Sequence, residues 1–188
     1  MSREGGRNAG PLAMAALAWG CAVAGPPAPV DDYERLVEAC FEGVPTFASA
    51  EEVALRAGGR PPEQLDWTSA TRLDSWRVVG AWDVAATSIP DKVAPIVILE
   101  GQYDESRARS CIGGQSVYAR PVLEARLSRE FDLQLLQREA IFPIGFERST
   151  YAASLNGVDA VVVIEGPGGG GFPFVEVIVV DSHHAASE

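Results

Sequence analysis

The stretch Thr150–Val180, TYAASLNGVDAVVVIEGPGGGGFPFVEVIVV, decides the fold. Asn156-Gly157 separates two runs rich in β-branched residues, Thr150–Leu155 and Val158–Glu165. Both residues of that pair tolerate positive φ, as the two central positions of a type I′ turn require, so the runs read as a hairpin. The glycine-rich Gly166–Gly171 then leads into a third run, Phe172–Val180, which completes a three-stranded antiparallel meander.

Upstream of the meander, Pro121 suits the first turn of a helix that continues through Val122, Leu123, Leu127, Glu130 and Phe131. Residues 133–142, LQLLQREAIF, extend that helix or form a strand, since their apolar positions fit neither period well. Further back, Trp76–Trp82 and Val93–Gly101 read as strands, with Pro95 limiting where the second can pair. The charged stretch Gln102–Arg109 reads as a solvated hairpin connection, and Ser110–Gln115 as a returning strand that carries Cys111.

Two helices are expected before the strands. Asp31 caps the first, whose apolar face is Val30, Tyr33, Val37, Cys40 and Phe41 and which Gly43 and Pro45 end. Ser49 and Glu52 have the spacing of a capping box for the second, closed by Gly58-Gly59 and Pro61-Pro62. The expected fold is therefore α+β: an antiparallel sheet of about five or six strands, with two N-terminal helices and one later helix packed on it.

At the N-terminus, Arg3 and Arg7 precede an uncharged run, Pro11–Ala24, that ends in Ala22-Val23-Ala24. This is the three-part form of a secretory signal peptide, with cleavage expected near Ala24. As a helix the run would span about 21 Å, short of a bilayer core about 30 Å thick, so no permanent transmembrane segment is expected. A lipoprotein anchored at Cys21 is the rival reading, and Trp19 beside the cut argues against it. The organisation read from the sequence is residues 1–24 as signal peptide, 25–182 as a single α+β domain and 183–188 as a polar tail, in a periplasmic or secreted protein.

In an oxidising compartment the remaining cysteines, Cys40 and Cys111, are expected to form a disulfide. With 15 basic and 26 acidic residues the net charge is -11, which repels a phosphate backbone and excludes nucleic acid as a partner. The chain holds only two histidines, His183 and His184, in the terminal tail with Asp181. That arrangement is too weak for a metal site, and the sequence calls for no metal and no cofactor.

Other chemistry was weighed residue by residue. Gly166–Gly171 lacks the lysine and the helix that a phosphate loop needs. Ser110-Cys111-Ile112-Gly113-Gly114 offers a nucleophile without a histidine base, and the two glycines read better as a turn or bulge. The carboxylate pairs Asp104–Glu105 and Asp31–Asp32 read as solvated charge, Asp31 and Asp32 serving the cap and dipole of the first helix. Trp67, Trp76 and Trp82 read first as core, and the aromatic residues that a ligand or partner would contact are Trp67, Trp82, Phe172 and Phe174. The catalytic residues are unknown.

The sequence thus leads to an exported binding or envelope-interaction module without catalytic activity, recognising an envelope or extracellular protein or ligand. One alternative is a carboxylate-dependent hydrolase of envelope or extracellular polymers built on Asp104 and Glu105. The other is a structural or assembly factor that uses strand addition at the edge of the meander, along Phe172–Val180.

Overall fold

In the computed structural model the described residues are 31–62, 75–89, 91–104, 106–141, 143, 145–167 and 172–181. Residues 1–24, read from the sequence as a signal peptide, lie outside them, as do Cys21, Trp67, Glu105, His183, His184 and residues 168–171 of the glycine-rich loop. Asp31 caps α1 (Asp32–Leu36) by accepting a hydrogen bond from Glu34 N at 2.8 Å. The helix then widens into a π turn, Val37–Phe41, closed by a bond from Glu42 N to Val37 O of 2.9 Å. Widening lets three successive residues, Ala39, Cys40 and Phe41, all be buried, more than one stripe of a regular α-helix would hide.

α2 spans Ser49–Arg56. The expected capping box is absent: Ala48 occupies the cap, and the Ser49 hydroxyl donates to Glu38 O at 3.1 Å, tying α2 to α1. α3 spans Arg120–Phe131 with Pro121 in its first turn, and it buries Leu123 and Leu127 completely.

The sheet has seven strands, more than the sequence suggested. They are β1 (Trp76–Trp82), β2 (Ile96–Tyr103), β3 (Ser106–Gly114), β4 (Gln134–Ile141), β5 (Phe146–Leu155), β6 (Val158–Pro167) and β7 (Phe174–Val180). Their spatial order is β1-β2-β3-β7-β6-β5-β4, with every neighbouring pair antiparallel. The meander β5–β6–β7 is present, and its first turn has positive φ at both Asn156 (52°) and Gly157 (76°), as Asn-Gly predicts.

Of the two readings open for residues 133–142 the strand is the one found, Gln134–Ile141 at the edge of the sheet. Two other readings are corrected. Most of QYDESRAR is strand too, since β2 runs to Tyr103 and β3 resumes at Ser106, with only the short turn at Asp104 between them. Gly113 and Gly114 form no turn or bulge but sit in β3, paired with Val175 and Phe174 of β7. At Gly113 an added Cβ would collide with the buried Leu36 side chain, so glycine there lets α1 approach the sheet.

One face of the sheet carries the main core. Ile98 of β2, Cys111 of β3, Val177 of β7 and Val162 of β6 pack there against Leu36, Phe41 and Val53 from the first two helices and against Leu123 and Leu127 of α3. A disulfide between Cys40 and Cys111, with Cα atoms 5.3 Å apart, fastens the π turn to β3. The opposite face has a smaller cluster of Ala108, Val163 and Ile178, with Trp76, Tyr103, Val161 and Val180 packed against it.

Candidate functional site

Most polar groups beneath the helices bind one another. Asp32 is 1% exposed, which corrects its reading as a solvated dipole partner. Its Oδ1 accepts from Thr87 N at 3.0 Å, from Thr87 Oγ1 at 2.7 Å and from Arg35; its Oδ2 accepts from Ser116 N at 3.0 Å and from Ser116 Oγ. One carboxylate thereby pins α1 to the loop before β2 and to the loop after β3. Arg35 also donates to Ala85 O at 3.0 Å, which closes the clasp. A carboxylate with five donors already satisfied has no vacant lone pair to act as a base.

A second cluster joins α1 to α3. The Tyr33 hydroxyl donates to Glu130, the Arg126 guanidinium lies 3.6 Å above the Tyr33 ring, and Tyr118 meets that ring edge-on at 5.7 Å. Burial pushes the Tyr33 phenol above its ordinary pKa, and the hydrogen bond to Glu130 and its negative charge act in the same direction, against the opposing pull of Arg126. A third network holds α3 over β4 and β5: Arg120 pairs with Glu124 and Glu147, and Arg138 donates to Glu124 at 2.9 Å. Arg148 meanwhile bridges Glu139 at 3.2 Å and Glu165 at 2.7 Å.

The one region built differently lies where α3 gives way to β4. A cavity of about 600 Å³ opens there, within the size range of small-ligand sites. Of its lining residues Ala153, Ala160 and Ile178 are buried, the first two within the helix-covered core and Ile178 in the cluster on the opposite face. Phe131, Val161 and Val180 form half-buried apolar walls, and the exposed rim is Asp132, Gln134, Ser154 and Asp159. Asp132 takes its rim position as the left-handed residue (φ 49°) that ends α3. Asp159 follows the Asn156-Gly157 turn by two residues and is placed by strand alternation. Among the described residues neither rim carboxylate has a side-chain ion pair or hydrogen bond.

The residues singled out in the sequence lie elsewhere. Trp82 packs half-buried against the helix-covered core. Phe172 and Phe174 are half-buried at the start of β7, whereas the cavity is reached at its other end, at Val180. Asp104 is exposed in the β2–β3 turn, with φ 46°, and does not line the cavity. Sequence reasoning missed Asp132 and Asp159. The signal available was an aspartate where a helix ends and another at an outward position beside a turn, and both look like ordinary surface charge until the fold brings them to one cavity.

Among the described residues no group of three or more His, Cys, Asp and Glu could hold a metal ion, and no helix is long and apolar enough to cross a membrane. Fold and cavity together define an α+β protein with a single seven-stranded antiparallel sheet, helices on one face and an open apolar cleft at one edge. No known protein family, no curated protein and no solved structure matches the chain.

Proposed function

We propose that this is an exported, non-catalytic binding module whose cleft between the end of α3 and the strands β4–β7 takes a ligand with an apolar body and a positive charge. The observation that carries this reading is the composition of the cleft: a mainly apolar lining that includes Phe131, Val161, Ile178 and Val180, with two carboxylates on the rim that no described residue pairs. Apolar walls favour transfer of an apolar body out of water, and the carboxylates select the sign of the charge that remains near solvent. The net charge of -11 adds long-range attraction for a cation. The disulfide is compatible with export, and the commitment of Asp32 to structural hydrogen bonds favours a binding role over hydrolysis.

Titration calorimetry with phenylbutylammonium and with phenylbutyrate, two probes alike in body and opposite in charge, tests the reading. The cation should bind saturably and the anion should not, and replacing both Asp132 and Asp159 by Asn should weaken the cation about fivefold. Equal binding of the two probes, or none of either, would overturn it.

A further inference from the structure

The cleft does not stand alone: Gln134, part of its rim, is the first residue of β4, and β4 is an edge of the sheet. Seven of its eight residues, Gln134–Ala140, are exposed, and strand order leaves its outer side without a partner among the described residues. At the opposite edge the end of β1 is covered, because Arg60 and Asp83 exchange backbone hydrogen bonds of 3.1 and 2.8 Å just beyond it.

Proteins usually protect a free edge with proline, an unpaired charge or a bulge. β4 contains no proline, and the charges it does carry are engaged inward, Arg138 with Glu124 and Glu139 with Arg148. It has a bulge between Leu135 and Gln137, but the extra residue is a leucine. Leu135 and Leu136 are 53% and 62% exposed, an unusual cost for an edge that pairs with nothing.

Resting on the reading of the cleft above, we propose that its ligand is an extended segment of a partner polypeptide that adds to the sheet along β4. Backbone groups of the segment pair with the free edge, as in other cases of strand addition. Side chains on one face of an extended strand recur about every 7 Å, so an apolar one set at the Gln134 end reaches the cleft while others cover Leu135 and Leu136. The unpaired Asp132 and Asp159 call for a lysine or arginine in the segment. Charge also separates this occupant from a second copy of the chain, whose net -11 would oppose self-association.

The test uses the whole exported protein and three probes: the peptide Ac-KVTVTVK-amide, the same peptide N-methylated on successive residues so that neither of its edges can donate, and phenylbutylammonium. The expected result is saturable binding of the first peptide, a loss of more than about tenfold on N-methylation, and slower amide exchange by about tenfold or more within Gln134–Ile141 of the complex. Equal binding of both peptides, or protection confined to cleft residues, overturns strand pairing. Failure of the peptide while phenylbutylammonium still binds overturns this inference alone, and failure of all three overturns the cleft reading with it. A dimer in light scattering that persists without peptide and protects β4 would assign the edge to a second copy and overturn the peptide.

Discussion

Asp32 and Asp132 are both acidic residues at helix ends, and the molecule treats them in opposite ways. Asp32, in the first turn of α1, is sealed from solvent with both oxygens saturated, next to helical segments that a disulfide bolts to β3. Asp132, at the end of α3, is exposed beside an apolar cleft and the edge strand β4, and no described residue pairs with its carboxylate or with the outer side of that strand. The first arrangement uses its polar groups to join elements distant in sequence; the second leaves its own unengaged among the described residues. Rigidity at one end and unused bonding capacity at the other are what a recognition scaffold needs.

The sharpest way to break that contrast is to unfasten the rigid end. Replacing Cys40 and Cys111 together by Ser releases a closure between residues 71 apart and should lower unfolding stability by about 4 kcal/mol in the chain-entropy treatment, measurable by urea denaturation. Asp32→Ala comes next. It leaves Arg35 buried without its carboxylate and frees the loops at Thr87 and Ser116, and should cost about 3 kcal/mol, with amide exchange accelerating first in those loops.

Tyr33→Phe should follow at about 2 kcal/mol, because it removes a hydrogen bond to a charged partner and leaves Glu130 with the longer 3.9 Å pairing to Arg126. The same tyrosine sets an alkaline limit. Its folded pKa lies above the unfolded value near 10, so its contribution is complete below pH 10 and drains away as pH rises beyond it. In a titration followed by tyrosinate absorbance, Tyr33 should ionise only with unfolding, and the Phe variant should lose less stability between neutral and strongly alkaline pH than the parent does.

At the open edge, Leu136→Lys should change stability by less than about 0.5 kcal/mol, since the side chain it removes is mostly in solvent. A large loss there, comparable with that of Asp32→Ala, would mean that β4 is an integral part of the scaffold and would erase the contrast between the two ends.

Local physics accounts for what could be read from the chain in advance. Asn156-Gly157 announced its hairpin because few residue pairs accept two positive φ angles, and Asp31 and Pro121 marked helix starts through their own backbone chemistry. LQLLQREAIF stayed unreadable for an equally local reason. The bulge at Leu136 breaks the period-two alternation, and because no described strand pairs with β4 on its outer side and seven of its residues are exposed, there was no burial to imprint a pattern.

The sequence by itself therefore determined the α+β class, the starts of α1 and α3, the meander and the pairing of Cys40 with Cys111. Only the tertiary structure decided that β7 lies in the interior, hydrogen-bonded to β3 on one side and β6 on the other. That leaves no free edge along β7, and the edges of the sheet are β1 and β4. It also decided that Asp32 is buried, that Gly113 makes room for Leu36, and that Asp132 and Asp159 share one cleft. The reason is the range of the forces involved. Turns and caps are set by a few neighbouring dihedrals, whereas strand order, burial of a charge and the meeting of two carboxylates depend on contacts between residues far apart in the chain, which no short window contains.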